Sequence, residues 1–280
     1  MSANSFGEAV VLWVSLVGIG LWILVMARML RRIPILKPGP RNRISWGPSA
    51  AIAVLLVSIL AQVAVFLVAK ALGFIPKEVL AEQFSVARLK ALYILYLAAN
   101  TLTLTLILML VFPSGGLRSL GLGKGMWADA LRLGAQAECM AYPLLAIVWE
   151  VSQKAAEAFG YSWEKPETAR MMEVLKGARP LDVILILATV SLAVPFFEEV
   201  IFRGFFQQGI RGTFGPRTAI VLSALVFAFL HEVPYSTPGI FVLALFLGYL
   251  YEKTQSLGPP FLLHGLHNLL TSILVLFGTN

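Results

Sequence analysis

The chain has 280 residues, of which 58% are hydrophobic and 13% charged, with a formal net charge of +7. Apolar runs long enough to cross a bilayer recur along it, which excludes a soluble domain, and their continuity excludes the short alternating segments of a β-barrel. The positive charge does not indicate a nucleic-acid partner, because much of it lies in connections beside apolar runs, where Lys and Arg set topology. The fold class expected is therefore all-α, a polytopic transmembrane helical bundle of about eight spans. We place these at 7–27, 49–71, 91–112, 133–152, 181–208, 217–231, 238–252 and 260–277.

The first span starts without a basic n-region and shows no small-residue cleavage site, so we read a retained helix rather than a removed signal peptide. The connection at 28–47 carries Arg28, Arg31, Arg32, Lys37, Arg41 and Arg43 and no acidic residue. The positive-inside rule makes it cytoplasmic, which puts both termini of an eight-span chain outside. Arg118, Lys124 and Arg132 in the third connection, and Arg211 and Arg217 in the fifth, fall on the same inner side. The connection at 153–180 mixes Glu157, Glu164, Glu167 and Glu173 with Lys154, Lys165, Arg170 and Lys176. It reads as a water-facing outer segment with a short surface helix. The glycines of "GGLRSLGLGKG" at 115–125 lack the spacing of a phosphate-binding loop. One cysteine, Cys139, leaves no intrachain disulfide.

Ionisable groups inside an apolar span are costly and mark candidate functional sites. The three histidines, His231, His264 and His267, all fall in the last fifth of the chain. With Glu198, Glu199, Arg203 and Asn268 they make up most of the polar content of the last four spans. Glu199 and Arg203 are four apart and share a helix face, so they can pair. Glu198 is about 100° round the helix from Glu199 and points elsewhere. The spacing thus gives Glu199 a structural role and leaves Glu198 facing a cavity. His231 ends its span, and helix rise puts it at about the same depth as Glu198. His264 and Asn268 are four apart on the last helix, where both can donate to a single oxygen. His267 lies on the opposite flank from Asn268 and reads as a packing or supporting histidine. A general base (Glu198), a proton-sharing partner (His231) and two oxyanion donors (His264, Asn268) are what water attack on an amide requires.

The motifs resemble those of a known family. "EEVIFR" (198–203) is similar to the EExxxR motif of the CPBP family, the CAAX-protease and bacteriocin-processing membrane proteins also called the ABI family. "FAFLH" (227–231) resembles its FxxxH motif, and "HGLHN" (264–268) its HxxxN motif. The lead-in "GYLYEKTQSLGPPFLLH" is similar as well. The resemblance covers about 180–275. It implies an intramembrane endopeptidase in which Glu198 and His231 activate water, His264 and Asn268 stabilise the oxyanion, and Glu199 and Arg203 form a structural contact. It also implies a division into N-terminal transmembrane helices at 1–132, without a recognised motif, and a catalytic core at 133–280.

The expected partners are a peptide or protein substrate at the membrane, lipid-modified in the CAAX-like case, and the lipid bilayer. No cofactor is expected from a glutamate mechanism. Zinc is the alternative, with Glu198, His231 and His264 as ligands, since two histidines and a glutamate form a legitimate catalytic set; the absence of HExxH counts against it. Two other functions compete: a non-proteolytic immunity or peptide-binding protein on the same fold, and a transporter using Glu198 as a proton site. The intact motif set disfavours the first. The lack of two matching halves with broken helices disfavours the second.

Overall fold

The computed structural model describes residues 3–31, 34–36, 39, 44, 46–75, 85–111, 120, 121, 127, 129–161, 167–231 and 236–276. Among these residues all regular structure is helical. The elements are α1 (Ala3–Leu30), α2 (Pro48–Ala71), α3 (Val86–Val111), α4 (Ala130–Ala158), the short α5 (Glu167–Leu175), α6 (Pro180–Ala188), a π-helical turn π1 (Thr189–Ala193), α7 (Val194–Glu199), a π-helical segment π2 (Val200–Gln207), α8 (Gln208–Phe229), α9 (Thr237–Thr254) and α10 (Gly258–Leu276). Among the described residues five segments are long and apolar enough to cross a membrane. One of them, Pro180–Phe229, runs for 50 residues, far more than the about 20 that a bilayer needs.

That segment is a hairpin. It breaks at Gly215, whose φ of 79° and ψ of 166° suit glycine, and restarts at Pro216, which is preset for a first helical turn. The two arms fold back on each other: the Ser223 hydroxyl donates to the Phe202 carbonyl at 3.3 Å, and the rings of Phe202 and Phe227 meet edge to face at 4.9 Å. The sequence reading places this connection at 209–216. The helix instead runs through 209–214 and reverses at a single glycine. Counting the hairpin as two, the eight expected spans correspond to eight long helical segments, and α5 is the short surface helix expected between the fourth and fifth.

The interior is built round the hairpin. Phe202, Phe205, Phe227 and Tyr251 are buried there with Trp46 from the α1–α2 connection and Ile107 of α3. The outer face of α1 exposes Leu12, Trp13, Leu16, Ile19 and Ile23, as expected of a surface that lipid rather than water covers. α1 docks on α4 through a proline-freed carbonyl. Pro143 has no N–H for the carbonyl of Cys139, four residues earlier. Gly18 of α1 lies directly against that oxygen, where a Cβ would collide with it. One turn further on, Trp22 Nε1–H donates to the Met140 carbonyl at 3.0 Å.

Of the residues that carry the topology reading, Arg32, Lys37, Arg41, Arg43, Arg118, Lys124, Glu164 and Lys165 lie outside the described residues, as does 115–125 apart from Leu120 and Gly121. The N-out, C-out arrangement makes a direct prediction. In a Cys139→Ala background, Pro40→Cys and Lys165→Cys should react with a membrane-impermeant thiol reagent from opposite sides. Labelling of both from one side overturns the arrangement.

Candidate active site

The glutamate doublet ends a six-residue α-helix held between two π segments. The first has a sequence cause. Pro195 offers no N–H to Ser191, and the turn widens: the Val194 N–H donates five residues back to Thr189. The carbonyls of Val190 and Ser191 therefore lose their usual helical partners. Both are met by α10. Asn268 Nδ2–H donates to the Val190 carbonyl at 3.0 Å. Gly265 presents bare backbone to the Ser191 carbonyl, where any Cβ would collide. Widened turns of this kind occur frequently at functional sites. Here the π turn is what brings the last motif to the first.

Glu199 is 1% exposed and Arg203 fully buried. Arg203 Nε–H donates to Glu199 Oε2 at 3.1 Å, and its Nη1 donates to the Ser223 hydroxyl at 3.1 Å. The guanidinium also lies 5.2 Å from the centroid of the Phe227 ring. The other Glu199 oxygen accepts from His264 Nδ1–H at 3.1 Å. Glu199 is thus engaged at both oxygens. Glu198 is not. Its Oε1 accepts from the Tyr96 hydroxyl at 3.5 Å, a long contact, while Oε2 is buried without a hydrogen bond among the described residues. That free oxygen stands 3.7 Å from His264 Nε2. His264 therefore lies between the two carboxylates and touches one with each ring nitrogen.

His231 is placed differently from the other motif residues. α8 ends at Phe229, and the Phe227 carbonyl is one of its orphaned C-terminal acceptors. His231 Nδ1–H donates to it at 2.7 Å, so in the neutral ring Nε2 carries the lone pair. The Phe227 ring lies 4.5 Å from the His231 ring and 5.7 Å from the His264 ring. Among the described residues no hydrogen bond or ion pair joins His231 to Glu198. The expected contact is not made; the Phe227 ring instead touches the rings of both His231 and His264. Asn268 faces the π turn, and His267 turns away to Glu138 of α4, with Nδ1–H donating to Oε1 at 3.1 Å.

Glu138 and Tyr96 were not picked out from the sequence. Glu138 was detectable, since a carboxylate inside an apolar span is costly and implies a partner. Tyr96 was not, because only the packing of α3 brings its hydroxyl to Glu198. Beside the doublet runs an apolar groove of about 470 Å³, lined by Trp127, Leu185, Leu192, Phe196, Phe197 and Phe261.

Residues 180–270, which contain the doublet, His231, His264 and Asn268, match the model of a family described as type II CAAX prenyl endopeptidase Rce1-like. This segment is Rce1-like. The match supports a protease of CAAX type, and together with the apolar helices it supports an integral membrane protein. No curated protein and no solved structure matches the chain. Around the Rce1-like segment, Tyr96 of α3 and Glu138 of α4 contribute side chains from outside it.

A zinc set would need Glu198, His231 and His264 to converge on one point. Glu198 and His264 approach each other, but His231 lies across the Phe227 ring and holds a helix carbonyl. Among the described residues no group of three or more His, Cys, Asp or Glu side chains is arranged to hold an ion.

Proposed function

We propose that this protein is an intramembrane endopeptidase that hydrolyses a peptide bond of a membrane-associated or lipid-modified protein or precursor peptide. One observation carries the reading: of two adjacent glutamates, buried Glu199 is engaged at both oxygens, while half-buried Glu198 keeps one buried oxygen without a hydrogen bond among the described residues, beside a histidine. A buried acceptor without a partner costs free energy unless something occupies it in the working protein. A water there would be the nucleophile.

In this mechanism Glu198 accepts a proton from the water as its oxygen attacks the scissile carbonyl carbon. The carbonyl oxygen becomes an oxyanion. Asn268 spends one amide hydrogen on Val190 and has a second for the oxyanion. His264 commits Nδ1–H to Glu199, so it donates from Nε2 only as the imidazolium. Collapse breaks the C–N bond, and the proton held by Glu198 passes to the leaving amine. His231, with its Nε2 lone pair free, serves as the second proton acceptor. The apolar groove beside the doublet suits the apolar part of a substrate entering from the membrane.

The test is a comparison of membrane proteomes from the native host with the gene deleted, restored, or restored as Glu198→Gln. Only the wild-type gene should shorten a defined set of membrane-associated polypeptides. Once one is identified, cleavage by purified protein should survive exhaustive chelation. Identical proteomes in all three strains overturn the protease reading in favour of a peptide-binding protein. Activity lost on chelation and restored by zinc reassigns Glu198, His231 and His264 as ligands.

A further inference from the structure

Helix α10 carries His264 and Asn268, and the structure shows how it is seated. On one flank Gly265 and Asn268 meet the opened carbonyls of π1. On the other flank α10 presses against α4. Gly134 of α4 lies so close that a Cβ there would come within 2.8 Å of Leu262 Cβ and 3.0 Å of the Leu263 nitrogen. One turn after Gly134, Glu138 accepts from His267 Nδ1–H at 3.1 Å. Glu138 is 5% exposed, and among the described residues its second oxygen is buried without a hydrogen bond. A buried carboxylate with a single partner is poor value as a stabilising device, because desolvation offsets most of what the contact returns. Its position is informative. His267 stands three residues after His264 and directly before Asn268, so whatever fixes its ring also fixes the rotation of the turn that bears both motif residues.

We infer that Glu138, from outside the Rce1-like segment, is a positioning residue. Through His267 it holds α10 in the rotation that aims His264 at the glutamate doublet and Asn268 at π1. The inference rests on the proteolytic reading for its consequence in catalysis, but the positioning itself can be read without activity. The clamp acts on geometry alone. It moves no proton in the reaction and touches no substrate.

The experiment has two arms. In the first, peptide cleavage by purified protein in lipid vesicles is measured as kcat and KM. Glu138→Ala and His267→Ala should each lower kcat by about 10- to 100-fold, the range expected when a catalytic group is misplaced by up to about 1 Å, with KM changed by less than about threefold. Glu138→Gln keeps an acceptor oxygen, and His267→Asn puts an amide nitrogen near the position of Nδ1; both should recover most of the lost kcat. A merely structural role would lower Tm but leave kcat intact at temperatures well below unfolding. In the second arm, protein with 15N-labelled histidine is examined by NMR, with the His264 signals assigned by their loss in His264→Gln. Glu138→Ala should shift the His264 signals, and Glu138→Gln should leave them near their wild-type positions. Unshifted His264 signals in Glu138→Ala, or kcat equal to wild type in that variant, overturn the inference. If the wild type cleaves nothing while the His264 signals respond as described, the positioning stands and the protease reading falls.

Discussion

Glu198→Gln is expected to fold, insert and still bind its substrate, while cleaving at least about 100-fold more slowly, the lower end of what a positioned base contributes. Glutamine keeps the size of the side chain and an acceptor oxygen for Tyr96 but cannot take a proton from water. The geometry makes the expectation specific to one member of the doublet. The free oxygen belongs to Glu198, and Glu199 has none to offer. His231→Ala should fall by a similar factor, with the double variant little further, because groups that act as a unit are not additive. Asn268→Ala should lose about 100- to 1,000-fold through the oxyanion. It also removes the cap on the Val190 carbonyl, so its Tm should be measured alongside to separate the two effects. Cleavage by Glu198→Gln at the wild-type rate removes the protease mechanism in this form.

Arg203→Ala is expected to be the most damaging substitution for folding. Arg203 is fully buried and holds Glu199 on its own arm of the hairpin to Ser223 and the face of Phe227 on the other. Its removal leaves the Glu199 carboxyl group in an apolar interior with His264 as its remaining partner among the described residues. Taking one partner from a buried pair typically costs about 3–5 kcal/mol, which should appear as poor expression or a clear fall in Tm in detergent. Adding Glu199→Gln removes the stranded carboxyl group and should recover part of the loss, whereas two independent losses would add. Arg203→Lys should rescue poorly, because an ammonium cannot donate to Glu199 and Ser223 with the same planar fork. A single variant as stable as wild type contradicts the pairing.

The sequence by itself determined the class of fold and singled out the motif residues of the candidate site. Continuous apolar runs can only be membrane helices, since lipid leaves backbone groups no partner outside their own segment. The i,i+4 spacing was sufficient for Glu199 and Arg203 because that contact lies within one short stretch of helix. It was also sufficient to put His264 and Asn268 on one turn. Spacing on an ideal helix could not show that Pro195 opens a π turn, and so could not show that Asn268 is held by Val190 and that Gly265 must be bare.

What required tertiary structure was every contact between helices. Phe227, not a hydrogen bond, stands between the two motif histidines. Tyr96 reaches Glu198 from a helix about 100 residues earlier, and Glu138 reaches His267 across a comparable separation. In an apolar span the helical period carries little information, because lipid-facing and protein-facing sides are both apolar. Which side of α3 or α4 faces the site is set by close packing at glycines and by the few polar groups that must find one another, and those pairings exist only once the bundle is assembled.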